Sequence, residues 1–66
     1  MQIIVNGKAQ CVTFALSVKD FVETLDLSNK RYALELNQAI LPRSLYAQTV
    51  LAEGDQVEII HAVGGG

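Results

Sequence analysis

Short alternating apolar runs, separated by turn-forming residues, set the plan of this chain. From Gln2 to Asn6 the side chains alternate. Ile3 and Val5 share one face and Gln2, Ile4 and Asn6 the other, as in a half-buried strand. Asn6-Gly7 follows, a strong hairpin signal because both central residues of a type I′ turn need positive φ. A second strand over Lys8 to Phe14 then pairs antiparallel with the first. Ser17 suits a helix N-cap, with Asp20 three residues on in the manner of a capping box. Val18, Phe21, Val22 and Leu25 recur at the spacing of one apolar helical stripe. Asp20, Glu23 and Asp26 lie off that stripe and solvate the outer face. Ser28-Asn29-Lys30 is expected to end the helix.

Alternation resumes from Tyr32 to Asn37, with Leu34 and Leu36 inward and Ala33 and Glu35 outward. Asn37-Gln38 reads as a turn. Pro42 suits the start of a short helical segment over Arg43 to Tyr46, since proline there sacrifices no needed donor. Gln48 to Leu51 suits a short edge strand. Glu53-Gly54-Asp55 is a turn leading into the last strand, Gln56 to Ala62. There Val57 and Ile59 face the core, and Glu58, Ile60 and Ala62 face away.

The order ββαβ(β)β predicts an α+β fold. One main helix covers one face of a mixed sheet of four to five strands. In the simplest arrangement the first and last strands lie side by side and parallel in the middle. That is the β-grasp, or ubiquitin-like, architecture. Residues 1–62 are expected to form one domain and residues 63–66 a flexible C-terminal tail.

Composition narrows the picture. With 66 residues and a single cysteine, Cys11, no disulfide framework supports the core. Half the residues are hydrophobic and tryptophan is absent, so the core is expected to be aliphatic. The net charge of -2, with acids and bases mixed, gives no basic stripe for nucleic acid. No apolar run is long enough for a signal peptide or membrane span. These features lead to the expectation of a soluble, cytoplasmic protein that binds neither nucleic acid nor membrane.

The candidate chemistry lies at the end of the chain. Val63-Gly64-Gly65-Gly66 follows the last strand directly. Glycine lacks the Cβ that would obstruct close approach by an active site, so Gly64, Gly65 and Gly66 are read as a thread entering partner enzymes. Ordering each of them costs on the order of 1–2 kcal/mol, which docking of the folded body has to offset. Ile4, Ile60, Ala62 and Val63, all apolar at positions assigned outward or to the tail, are the expected docking patch. Neighbouring central strands would bring Ile4 and Ile60 together.

Other residues attract notice without carrying chemistry. Cys11 lacks a CxxC partner or a nearby base and reads as packing or neutral. His61 has no paired acid or nucleophile in sequence. Arg43 and the Lys30-Arg31 pair fit surface charge and partner contacts equally well. No metal-ligand cluster or phosphate loop is present, and no bound cofactor is expected.

Several pieces together resemble a known family, across nearly the whole chain. They are Met1-Gln2-Ile3-Ile4-Val5-Asn6-Gly7, Asn37-Gln38 followed by Leu41-Pro42-Arg43 and Tyr46, Glu53-Gly54-Asp55-Gln56-Val57-Glu58-Ile59, and the glycine tail. They are similar to the ThiS sulfur carriers of bacterial thiamine biosynthesis. The resemblance implies a protein cosubstrate rather than an enzyme. The Gly66 carboxylate would be adenylated by a ThiF-type adenylyltransferase that consumes ATP. A persulfide donor would then convert it to a thiocarboxylate, and thiazole synthase would take the sulfur.

The small subunit of molybdopterin synthase, the MoaD type, shares the fold, both turns and a Gly-Gly end. It is usually longer and often carries prolines before the tail. Here Pro42 is the only proline, and His61-Ala62-Val63 precedes the glycines. Both departures favour the thiamine carrier. A ubiquitin-like module that binds without covalent chemistry is the alternative from a different class.

Overall fold

A computed structural model describes residues 1–27 and 31–61. The strands are β1 (Gln2–Val5), β2 (Lys8–Cys11), β3 (Tyr32–Leu36), β4 (Ala39–Ile40) and β5 (Gln56–His61). The helix α1 spans Val18–Glu23, and a 3₁₀ helix spans Arg43–Gln48. Sheet order is β2-β1-β5-β3-β4, with β1 and β5 parallel and the other pairs antiparallel. This is the expected β-grasp arrangement, with the last strand at the centre.

Local chemistry explains most elements. Asn6 and Gly7 adopt φ of 50° and 83°, the pair a type I′ hairpin requires. The Asp20 amide donates to Ser17 Oγ at 3.1 Å, so the N-cap forms as read. Ile3, Val18, Phe21, Leu34, Tyr46, Leu51 and Val57 make the core between α1, the 3₁₀ helix and one sheet face.

Three elements differ from expectation. β2 ends at Cys11, not Phe14. Val12 still donates to Met1 at 2.8 Å, and the chain then turns away through Ala15, whose φ is 63°. The helix stops at Glu23, because the Thr24 and Leu25 amides fall back to i−3 carbonyls and Thr24 Oγ1 donates to the Phe21 carbonyl at 2.6 Å. Asp26, at φ 56°, then reverses the chain and lets Leu27 bury. The expected stop at Ser28-Asn29-Lys30 lies outside the described residues.

The strand expected over Gln48 to Leu51 is only a bridge between Ser17 and Val50, because most of that stretch is 3₁₀ helix. The fifth strand is instead Ala39–Ile40, paired to β3 across the Asn37-Gln38 turn. The expected reach of the last strand to Ala62 cannot be followed past His61, since Ala62 lies outside the described residues.

Two loops lock the entrance to β5. Asn37 Oδ1 accepts from the Gln56 amide at 2.9 Å, and Asn37 Nδ2 donates to Asp55 Oδ1 at 3.1 Å. Asp55 Oδ2 accepts from the Ala52 amide at 2.8 Å. The Asn-Gln and Gly-Asp turns, distant in sequence, thus form one clamp. Asn37→Ala removes both side-chain bonds and leaves alanine at φ 52°. The expected cost is about 2 kcal/mol, a fall in Tm of roughly 8–16 °C by thermal melting. An unchanged Tm would contradict the clamp.

Candidate functional site at the root of the tail

β5 is held on its β3 edge as far as His61 and on its β1 edge as far as Ile59. Its β3 ladder runs from Leu36↔Val57 to Tyr32↔His61. On the other edge β1 stops at Val5, and Asn6 extends the pairing with its side chain. Asn6 Oδ1 accepts from the Ile59 amide at 2.9 Å, while the Asn6 amide donates to the Val57 carbonyl at 2.9 Å. His61 is the last described residue. Ala62, Val63, Gly64, Gly65 and Gly66 lie outside the described residues. Gly66 is the fifth residue after His61, a reach of at most about 18 Å of extended chain.

His61 stands between two shallow recesses. One, about 290 Å³, is lined by Arg31, Tyr32, Ala33, Ile60 and His61. The other, about 200 Å³, is lined by Val5, Asn6, Leu25, Leu27, Ile59 and His61. The Arg43 guanidinium sits 4.4 Å from the centre of the Tyr32 ring, a cation–π contact beside the rung that holds His61. This gives Arg43 a place at the tail root that its sequence context left open. Among the described residues no group of His, Cys, Asp and Glu could hold a metal ion. Cys11 is exposed on the edge strand β2.

Tyr46 lies behind this cluster, 7% exposed. Burial first, then the neighbouring Tyr32, pushes its phenol up to about 12. In the unfolded chain the phenol ionises near 10. Its stabilising contribution is therefore full below about pH 10 and is lost as pH rises toward 12. The urea midpoint should fall across that window, and Tyr46→Phe should flatten the fall. An equal fall in both proteins would contradict this origin.

The expected contact between Ile4 and Ile60 does not form. In the parallel pair Ile4 stands beside Gln56, four residues before Ile60, or about 13 Å along the strand. The two share the helix-free face without abutting. Ile60, 45% exposed, is opposite Ala33 on β3. Ile40, 61% exposed, joins the same face through its rung with Glu35. Sequence reading missed Ile40 because a two-residue strand shows no alternation.

The ThiS family model matches residues 3–66. The chain is 35% identical to the sulfur carrier protein ThiS of Escherichia coli, over 66 residues covering all of both chains. A thiazole synthase of Paramagnetospirillum magneticum is 32% identical over the full chain, which spans only 20% of that relative's length. The crystal structure of the thiamine biosynthesis protein ThiS from Geobacter metallireducens superposes with a TM-score of 0.86, at 32% identity and full coverage of both chains.

Proposed function

The chain belongs to the ThiS family, the sulfur carriers of thiamine biosynthesis, and we propose that its working group is the α-carboxyl of Gly66. It is a carrier acted on by enzymes, not a catalyst. A carboxyl of this type ionises at about 3.3–3.7, so it is a carboxylate at neutral pH. A carboxylate repels nucleophiles and has no good leaving group. Its oxygen therefore attacks the α-phosphate of ATP on a ThiF-type adenylyltransferase, releasing pyrophosphate and leaving an acyl-adenylate. The terminal sulfur of a persulfide attacks the acyl carbon and AMP departs, giving an acyl disulfide. A thiol reduces that disulfide to the thiocarboxylate and is itself oxidised to a mixed disulfide. Thiazole synthase takes the sulfur for the thiazole ring, and oxygen replacing it restores the carboxylate.

The observation that carries this reading is the central position of β5, after which the sequence continues through Ala62 and Val63 to Gly64, Gly65 and Gly66. A strand bonded on both edges is a rigid base from which a tail can be presented. The family match also extends to Gly66. The thiazole synthase partnership draws support from thiazole synthases that contain a stretch similar to this whole chain. The named relatives support the thiamine reading and lend none to the molybdopterin alternative. No helix among the described residues is long and apolar enough to cross a membrane. The ATP-dependent activation and persulfide chemistry of this reading support a cytoplasmic location. The direct test is ATP–pyrophosphate exchange by a ThiF-type enzyme. Exchange that saturates with this protein supports the reading, and absence of exchange contradicts it.

Docking of the helix-free face offsets the cost of ordering the glycines, with Ile60 as its apolar anchor and Ile4, Ala62 and Val63 as further contacts. Ile60→Asp is expected to raise the KM for this protein in adenylation by roughly tenfold, with the fold intact by circular dichroism. An unchanged KM would remove the anchor role.

A further inference from the structure

Two asparagines, both at positive φ, complete the hydrogen bonding of β5 with their side chains. Asn37 serves the entrance of the strand, at Gln56, and Asn6 serves the exit, at Ile59. Asn6 follows β1 directly, and by register it would form the next parallel rung, opposite Glu58. A parallel rung there needs two bonds. One runs from the residue 6 amide to the Val57 carbonyl, the other from the Ile59 amide to the residue 6 carbonyl. The main chain makes the first, at 2.9 Å. The second goes to the side chain: Asn6 Oδ1 accepts from the Ile59 amide at 2.9 Å. At φ 50° the main chain of Asn6 is already turning into the hairpin, so its side-chain carbonyl takes the place of the main-chain one.

Three demands meet at this position. The turn needs a residue that tolerates positive φ, Val57 needs an amide donor, and Ile59 needs an acceptor on a short side chain. Asparagine and aspartate meet all three, and glycine meets only the first two. Beyond Ile59, Ile60 and His61 keep only their β3 rungs among the described residues. β4 reaches only Glu35 and Leu36, so over Tyr32–Leu34 the β3–β5 pair has no further strand beside β3. Without the Asn6 bond this end of β5 belongs to a two-stranded ribbon, which twists more than a sheet does. Gly66 is the seventh residue after Ile59, about 24 Å of extended chain. A rotation of about 10° at Ile59 displaces a point at that reach by about 4 Å.

Resting on the carrier reading, we propose that Asn6 is a positioning residue for sulfur loading. Its side-chain carbonyl fixes the direction in which β5 delivers the Gly66 carboxylate to the adenylating enzyme. It acts through the Ile59 amide and not on the reacting atoms. The apolar docking contacts are untouched by its loss, so the effect falls on turnover and not on KM.

The test uses full-length protein with Asn6→Gly, which keeps the turn and loses the acceptor, and Asn6→Asp, which keeps both. All proteins are compared where circular dichroism shows them folded. Exchange of the Ile59 amide is followed by NMR, and kcat and KM are measured for pyrophosphate exchange with a ThiF-type adenylyltransferase. In Asn6→Gly the Ile59 amide should exchange roughly tenfold faster, and kcat should fall roughly tenfold with KM within about twofold. Asn6→Asp should restore both. A merely structural role would lower Tm and leave kcat of the folded protein at its wild-type value, which overturns the inference. Unchanged exchange at Ile59, or no rescue by aspartate, overturns it as well. In each of these cases wild type is still adenylated and the carrier reading stands. If wild type itself is never adenylated, the carrier reading fails and the inference with it.

Discussion

Deleting Gly66 abolishes sulfur loading and leaves Tm unchanged. The ladder between β3 and β5 ends at His61, five residues earlier, so the deletion removes none of its bonds. The shortened chain still ends in glycine and still carries a carboxylate. Its acyl carbon, however, stops about 3.5 Å short of the original position when the body is docked. A misplacement of about 1 Å already costs roughly a hundredfold in rate, so a shift of a whole residue removes turnover. Pyrophosphate exchange and thiocarboxylate formation should both fall by at least about a hundredfold. Loading at the wild-type rate would show that the position of the end does not matter, and a purely non-covalent binding module would then fit better.

Phe21→Ala unfolds most of the molecules. Phe21 is 1% exposed and packs at the centre of the core. Truncating such a side chain costs about 3–5 kcal/mol. A domain of 66 residues has a total stability of roughly 3–10 kcal/mol, and small domains bury the least surface in proportion to their size. The loss is thus comparable to the whole margin. Circular dichroism in urea should show a midpoint near zero denaturant, or no folded baseline. The chain has an internal control in its other phenylalanine. Phe14 is 81% exposed, so Phe14→Ala should leave the urea midpoint within experimental error. Equal effects at both positions would contradict the packing described.

The contrast between these two phenylalanines shows what the sequence could and could not reveal. Phe21 falls in a helical stripe opened by a cap, and both signals act over a few residues. The same holds for the Asn6-Gly7 hairpin, whose positive φ values the residue types alone demand. The central, parallel placement of β1 and β5 followed from element order. Long-range register did not. Ile4 and Ile60 have the same outward parity, and only the offset that sets Ile4 beside Gln56 separates them. The same kind of offset brings Glu35 and Glu58 together, and nothing local in either strand signals it.

Segments close to a threshold were also unreadable. Val50 and Leu51 suggest a strand, but one bridge to Ser17 is all that a 3₁₀ helix ending at Gln48 permits. The helix stopped early because Thr24 turned its hydroxyl onto its own backbone, a competition that an apolar stripe continuing to Leu25 conceals. Asn37 and Asp55 each read as turn residues. Their bond to one another, which ties two motifs of the family into one clamp, needed the fold to be seen.

The most direct measurement is mass spectrometry of proteolytic peptides after co-expression with the adenylating partner and a persulfide source. The intact mass is not enough, because an oxygen added at Met1 or Cys11 mimics the exchange of oxygen for sulfur. This exchange should be confined to the peptide ending at Gly66 and should disappear when the adenylating enzyme is inactive. Sulfur carried on the Cys11 peptide, with the Gly66 peptide unchanged, would contradict it.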